Sequence, residues 1–138
     1  MNRDILKQIM IDQKEIYLHN PLLHRLYPLE ESVNYCFVGI RRTGKSYMIY
    51  QQIKQLEMDG VPLSQIVYVN FEDERLLEMT SDDLNMILEI GLEISGVDHK
   101  PYLFFDEIQN IDGWEKFVRR VADMKYRVNI TGSNSKML

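Results

Sequence analysis

A three-layer α/β domain on a mostly parallel sheet is the fold class this sequence predicts, on three observations. Short apolar runs alternate with helix-periodic segments, a glycine-containing loop joins the first such run to the helix after it, and a later apolar run ends in two adjacent acids. A chain of 138 residues with 45% hydrophobic content can bury one core, so a single core domain over residues 33–138 is expected, preceded by a helix and linker over residues 1–32.

The elements follow in order. Ile5, Ile9 and Ile16 fall near one helical face of the opening segment, and "HNP" at His19 to Pro21 breaks it. Between two prolines, "PLLHRLYPLEES" is an irregular connection. "YCFV", Tyr35 to Val38, mixes aromatic and β-branched residues in a run short enough for a strand buried on both faces. After the loop, Ile49, Ile53 and Leu56 recur at i, i+4 and i+7, and Gly60 closes that helix. "IVYVNF", Ile66 to Phe71, is the second strand. The stretch from Phe71 to Asp98 carries nine acids against one arginine and reads as a solvated helical face, with Ser81 as its N-cap and Asp82 and Asp83 in the first turn. A third strand, Tyr102 to Phe105, runs into "DEIQ". Trp114, Phe117, Val118, Val121 and Ala122 then mark the apolar side of a helix, and "VNI" into "TGSNS" is the fourth strand.

Bulk charge and composition exclude several classes. A formal net charge of −5 argues against a generally basic nucleic-acid binder. No apolar run approaches a membrane span, and the acids and glutamines near the N-terminus do not suit a secretory signal, so a cytoplasmic location is expected. The single cysteine, Cys36, cannot build a disulfide framework and reads as a small core residue. His19, His24 and His99 lack the partners that metal or nucleophilic chemistry needs and read as surface or loop residues. Lys116, Arg119, Arg120, Lys125 and Arg127 form a basic stripe; a solvated face is its default reading, a contact for protein or nucleic acid the sharper one.

The chemistry centres on "GIRRTGKS", Gly39 to Ser46, which has the spacing G-x-x-x-x-G-K-[ST]. Backbone N–H groups of Gly39, Ile40, Arg41, Arg42, Thr43, Gly44, Lys45, Ser46 and Tyr47 are expected to surround an anionic group where strand gives way to helix. Gly39 and Gly44 permit the close backbone approach, Lys45 reaches the outer phosphates, and Ser46 offers a hydroxyl to Mg²⁺. Arg41 and Arg42 either touch the γ-phosphate or pair with Glu72 or Asp73, the ion pair being favoured. The strand "YLFF" delivers Asp106 to the sheet's carboxyl edge, where it can hold Mg²⁺ beside Ser46. Glu107 is then placed to align an attacking water.

"GIRRTGKS", "YVNFEDERL", "LFFDEIQNIDGWEKFVRR" and "ITGSNS", in this order, resemble the ATPase domain of a widespread group of bacterial and archaeal AAA+ superfamily proteins. The resemblance runs from about the first strand to Leu138. It implies a three-layer P-loop NTPase with sheet order 5-1-4-3-2, ATP/ADP and Mg²⁺ as ligands, and Asp106 and Glu107 as the Walker B pair. It also implies a polar sensor residue after the fourth strand, for which Ser133 and Asn134 stay open. Asn70 is similar to the residue that holds the catalytic glutamate inactive in many such ATPases; satisfying a strand end is an equal reading. AAA+ proteins continue into a fifth strand, an arginine finger and a helical lid, whereas this chain stops after the fourth core strand. The expectation is therefore a truncated domain that self-associates through its exposed edge and turns over slowly, as motor or switch for a larger protein. A nucleotide-binding fragment without turnover and a small-molecule kinase are the alternatives.

Overall fold

A computed structural model of the chain describes residues 1–19, 35–39, 45–96 and 98–133, with backbone alone for 17–19, 35–39, 45–47 and 133. Its elements are α1 (Arg3–His19), β1 (Tyr35–Gly39), α2 (Lys45–Met58), β2 (Ile66–Asn70), α3 (Ser81–Ser95), β3 (Tyr102–Asp106), α4 (Trp114–Asp123) and β4 (Val128–Ser133). The four strands lie in the order β1-β4-β3-β2, and every pairing is parallel. This is the implied order 5-1-4-3-2 over its last four strands.

That order dictates where the helices go. The step from β1 to β2 crosses the sheet in one direction, and the steps β2 to β3 to β4 return in the other. Right-handed crossovers then place α2 on one face and α3 and α4 on the opposite one. The two cores agree. Val67, Val69, Leu103, Phe105, Val128 and Ile130 pack with Leu84, Ile87, Phe117 and Val121 on the α3/α4 face. Ile66, Tyr68 and Phe104 pack with Ile49, Tyr50, Ile53 and Leu56 of α2 on the other. Strand side chains alternate between faces, so a run apolar at every position is what a sheet covered on both sides requires. Close packing at one point requires a glycine: a Cβ on Gly91 of α3 would lie 2.8 Å from Val67 Cγ2.

Two local expectations are corrected. Of Ile5, Ile9 and Ile16, only Ile9 is buried; Ile5 and Ile16 are 56% and 61% exposed. The inward face of α1 is Leu6, Ile9, Met10 and Gln13, at i, i+3, i+4 and i+7. A glutamine in that stripe hid the true face from a search for apolar residues. It is buried because its amide bonds both backbone groups of Asn70: the Asn70 N–H donates to Gln13 Oε1 at 2.9 Å, and Gln13 Nε2 donates to the Asn70 carbonyl at 3.0 Å. The second correction concerns α3, whose N-cap is Thr80 rather than Ser81. Asp83 decides this, because its carboxylate reaches back to accept from the Thr80 N–H at 3.0 Å.

The docking of α1 is also ionic. Arg75 donates from Nη2 to Asp73 Oδ2 at 2.7 Å and from Nη1 to Asp12 Oδ2 at 2.8 Å. Gln13 Nε2 also donates to Asp73 Oδ2, at 3.1 Å. Chiefly through the Arg75 side chain, the Asp73 carboxyl is lowered from 3.8 to about 2. A carboxyl with a lowered folded-state value stabilises the fold fully above its ordinary range and loses that contribution as pH falls through the lowered value. Hydrogen exchange should therefore find the α1 amides protected at neutral pH, with protection declining between about pH 4 and about pH 2. Protection unchanged down to that acid limit would refute the role of Asp73.

Candidate nucleotide site

Period-two alternation along β3 puts Tyr102, Phe104 and Asp106 on the α2 face, and Asp106 is the residue at the carboxyl end. The same arithmetic brings Tyr68 of β2 and Thr131 of β4 to that face. All three side chains meet. Asp106 is only 1% exposed and Thr131 fully buried. Tyr68 donates its phenol proton to Asp106 Oδ2 at 2.9 Å, and the Thr131 hydroxyl donates to Asp106 Oδ1 at 2.5 Å.

Donor counting then orients a chain of hydroxyls. Because the Tyr68 proton goes to Asp106, the 3.3 Å contact between the Tyr50 and Tyr68 hydroxyls is one in which Tyr50 donates. Because the Thr131 proton also goes to Asp106, the Thr131 oxygen is left to accept from the Glu107 N–H, at 2.9 Å. Burial, followed by the negative charge of Asp106, pushes the Tyr68 phenol well above its ordinary value, which keeps it a donor.

Glu107 follows directly and is 4% exposed. Its backbone is left-handed, with φ 58° and ψ 46°, a conformation that costs a non-glycine residue about 1–2 kcal/mol. The turn that follows holds it there. The Glu107 carbonyl accepts from the Asn110 side chain at 3.1 Å, and one turn of 3₁₀ helix runs over Ile108–Asn110. Backbone strain of this kind concentrates where a side chain must be aimed. The Glu107 carboxylate accepts from Gln109 Nε2 at 2.5 Å.

The remaining predicted positions divide plainly. Gly39 ends β1 in register with Ser133, and α2 starts at Lys45. For Lys45, Ser46, Tyr47 and Ser133 the backbone alone is described, while Ile40, Arg41, Arg42, Thr43, Gly44 and Asn134 lie outside the described residues. Asn70 pairs in register with Asp106 and uses its side-chain oxygen to accept from the Glu72 N–H at 3.0 Å. Tyr68, Thr131 and Gln109 were missed as site residues. Alternation puts Tyr68 and Thr131 on the Asp106 face only once β2 and β4 are known to flank β3, and Gln109 lies past the strand, in the 3₁₀ turn, where alternation gives no signal.

The basic stripe is not one surface. Lys116, Arg119 and Arg120 are exposed on α4, where Arg120 also donates to Asn85 at 2.5 Å and lies over the Phe117 ring. Lys125 and Arg127 line a groove with Lys100, Asp98 and His99 beside Tyr102, the first residue of β3. That is the opposite end of the strand from Asp106. Among the described residues no three His, Cys, Asp or Glu gather as a metal cage. A single buried carboxylate with hard oxygen donors suits Mg²⁺, which is bound through one or two carboxylates together with waters and substrate phosphates.

A strand of a parallel sheet that ends in a buried acid, with the first crossover helix packed on the same face, is the frame of a phosphate-binding α/β site. A family profile described as an AAA domain matches residues 33–138. The chain belongs to that AAA domain family. It is similar to an uncharacterized protein of Methanocaldococcus jannaschii, 40% identical over 134 residues that cover 97% of this chain and 28% of the relative. It is also similar to an uncharacterized protein of Haemophilus influenzae, 32% identical over 102 residues that cover 72% of this chain and 25% of the relative. The chain thus spans about a quarter of the length of the curated relatives it matches. No solved structure matches it. Family membership carries ATPase-like nucleotide binding to residues 33–138. No helix among the described residues is long and apolar enough to cross a membrane.

The hydroxyl brace of Asp106 has a measurable cost of removal. Tyr68→Phe withdraws one donor from a buried carboxylate and should lower stability by about 1.5–3 kcal/mol at neutral pH in chemical denaturation. A loss below about 0.5 kcal/mol would show that the phenol does not hold Asp106.

Proposed function

We propose that the chain binds Mg·ATP and hydrolyses it, serving as motor or switch for a longer protein. The observation that carries this reading is the Walker B pair. Asp106 is buried and braced by two hydroxyls at the carboxyl edge of β3, and Glu107 is held beside it in a strained turn. An anion cradle alone explains nucleotide binding but not this arrangement.

The roles follow from chemistry. Lys45 neutralises the outer phosphates, and the loop from Gly39 to Gly44 supplies backbone donors. Ser46 and Asp106 would hold Mg²⁺, which draws charge from the phosphate oxygens when bound. Glu107 accepts a hydrogen bond from the attacking water and aligns it. Ser133, the last residue of β4, or Asn134, the next in sequence, and Asn70, the last residue of β2, would report on the γ-phosphate or on Glu107. Thr131 links the metal-binding acid to the water-aligning acid through one hydroxyl. A kinase would additionally need a site for a phosphate acceptor.

Two substitutions divide binding from chemistry. Lys45→Ala should weaken Mg·ATP binding by about tenfold or more while the melting temperature holds, and calorimetry showing unchanged affinity would remove the central claim. Glu107→Gln keeps the shape and loses the charge, so turnover should fall by roughly 10²-fold or more with binding retained. Near wild-type phosphate release from that variant would show that Glu107 does not align the water.

A further inference from the structure

The residue that follows Glu107 by two, Gln109, has no role in the reading so far, yet its side chain is among the most enclosed polar groups near the site. It is 6% exposed, and its Nε2 lies 2.5 Å from Glu107 Oε2. We infer that Gln109 is the positioning residue of Glu107: its amide N–H fixes which way the carboxylate faces, and so sets the rate of hydrolysis without contributing to nucleotide binding. The inference rests on the proposal that Glu107 aligns the attacking water.

Three observations carry it. First, the Glu107 backbone is already pinned. Its N–H donates to Thr131, and its carbonyl accepts from the Asn110 side chain at 3.1 Å and from the Asn110 N–H at 3.3 Å. At the side chain, Gln109 bonds one of the two carboxylate oxygens, Oε2. Second, the 3₁₀ turn over Ile108–Asn110 is what folds the two side chains back onto each other. An extended strand would hold positions 107 and 109 apart, one pleat repeat along the chain.

The third observation is the other half of the amide. Gln109 Oε1 is buried and finds no hydrogen-bond partner among the described residues. An amide can flip, and a buried carbonyl without a donor is a state proteins avoid. The flipped amide would set carbonyl against carboxylate, two acceptors with no proton between them. The observed orientation is therefore the one that Glu107 demands, and the unsatisfied Oε1 is its cost. A glutamine serving only to fill the interior would not be kept in such a state, because methionine has the same length and no polar group to satisfy.

The test uses Gln109→Met and Gln109→Glu, both close in shape, compared with wild type in single-turnover ATP hydrolysis and in binding of a fluorescent ATP analogue with Mg²⁺. Turnover should fall roughly 10- to 10²-fold, further in Gln109→Glu, where a second carboxylate repels the first, while analogue affinity stays within about twofold. Adding Gln109→Met to Glu107→Gln should cause no further loss, since the group being positioned is already disabled. Unchanged turnover in Gln109→Met, an equal fall in affinity and rate, or a full additional loss in the double variant would each overturn the inference. Should neither Gln109 variant fold, the Gln109 side-chain amide resonances of the wild-type chain supply the readout. They should shift on Glu107→Ala, and their standing still would refute the contact. The two layers separate cleanly: an active Glu107→Gln defeats the hydrolysis proposal, whereas an inactive Glu107→Gln with an active Gln109→Met defeats this inference alone.

Discussion

A carboxylate buried at the end of a middle strand is tolerable only if the strands beside it deliver donors to the same point. Asp106 imposes that constraint here. Its two oxygens take protons from Tyr68 on β2 and Thr131 on β4, so the acid ties β3 to its neighbours on both sides through side chains as well as through the backbone ladder. Parallel register makes this possible: Thr131 stands one position beyond the Phe105–Ile130 pair, level with Asp106, while Tyr68, level with Phe104, reaches the acid along the same face from two residues back. A slip of one residue in either pairing would send Tyr68 or Thr131 to the α3/α4 face and leave a buried carboxylate short of a partner.

The same meeting point explains how two neighbouring acids come to stand in different backbone settings. Asp106 is the last residue with strand geometry, and Glu107 the first without it. The left-handed turn carries Glu107 out of the pleat while Thr131 keeps its N–H attached to β4. The positions of Asp106 and Glu107 are thus both tied to one hydroxyl on a third strand. Repacking β4 at Thr131 would disturb both at once.

Legibility in the sequence followed the physics of each element. Strands buried on both faces announce themselves by unbroken apolar runs, and all four lie where "YCFV", "IVYVNF", "YLFF" and "VNI" placed them. Strand order was not in the residues themselves; it came with the resemblance, and handedness then assigns the helices to their faces. The face of α1 was misread because its buried stripe contains Gln13, whose reason for burial lies fifty-seven positions away at Asn70. Tyr68 and Thr131 went unnoticed for a related reason. A tyrosine and a threonine in strands are ordinary β-formers, and their donor role exists only once β2, β3 and β4 are side by side.

The amide of Gln13 has one further consequence. β2 is the outer strand on its side of the sheet among the described residues, and an outer strand presents N–H and C=O groups on which a foreign strand can grow. Gln13 occupies both groups of Asn70 at once, offering one donor and one acceptor as a neighbouring strand would. Lys14 takes the carbonyl of Leu63 just before the strand begins, at 2.9 Å. The N-terminal helix therefore acts as a stopper on sheet growth at the margin where the acids lie. Chains that lost it would expose a short, very apolar strand to their neighbours, and would be recovered from cells as aggregates before any question of catalysis arose.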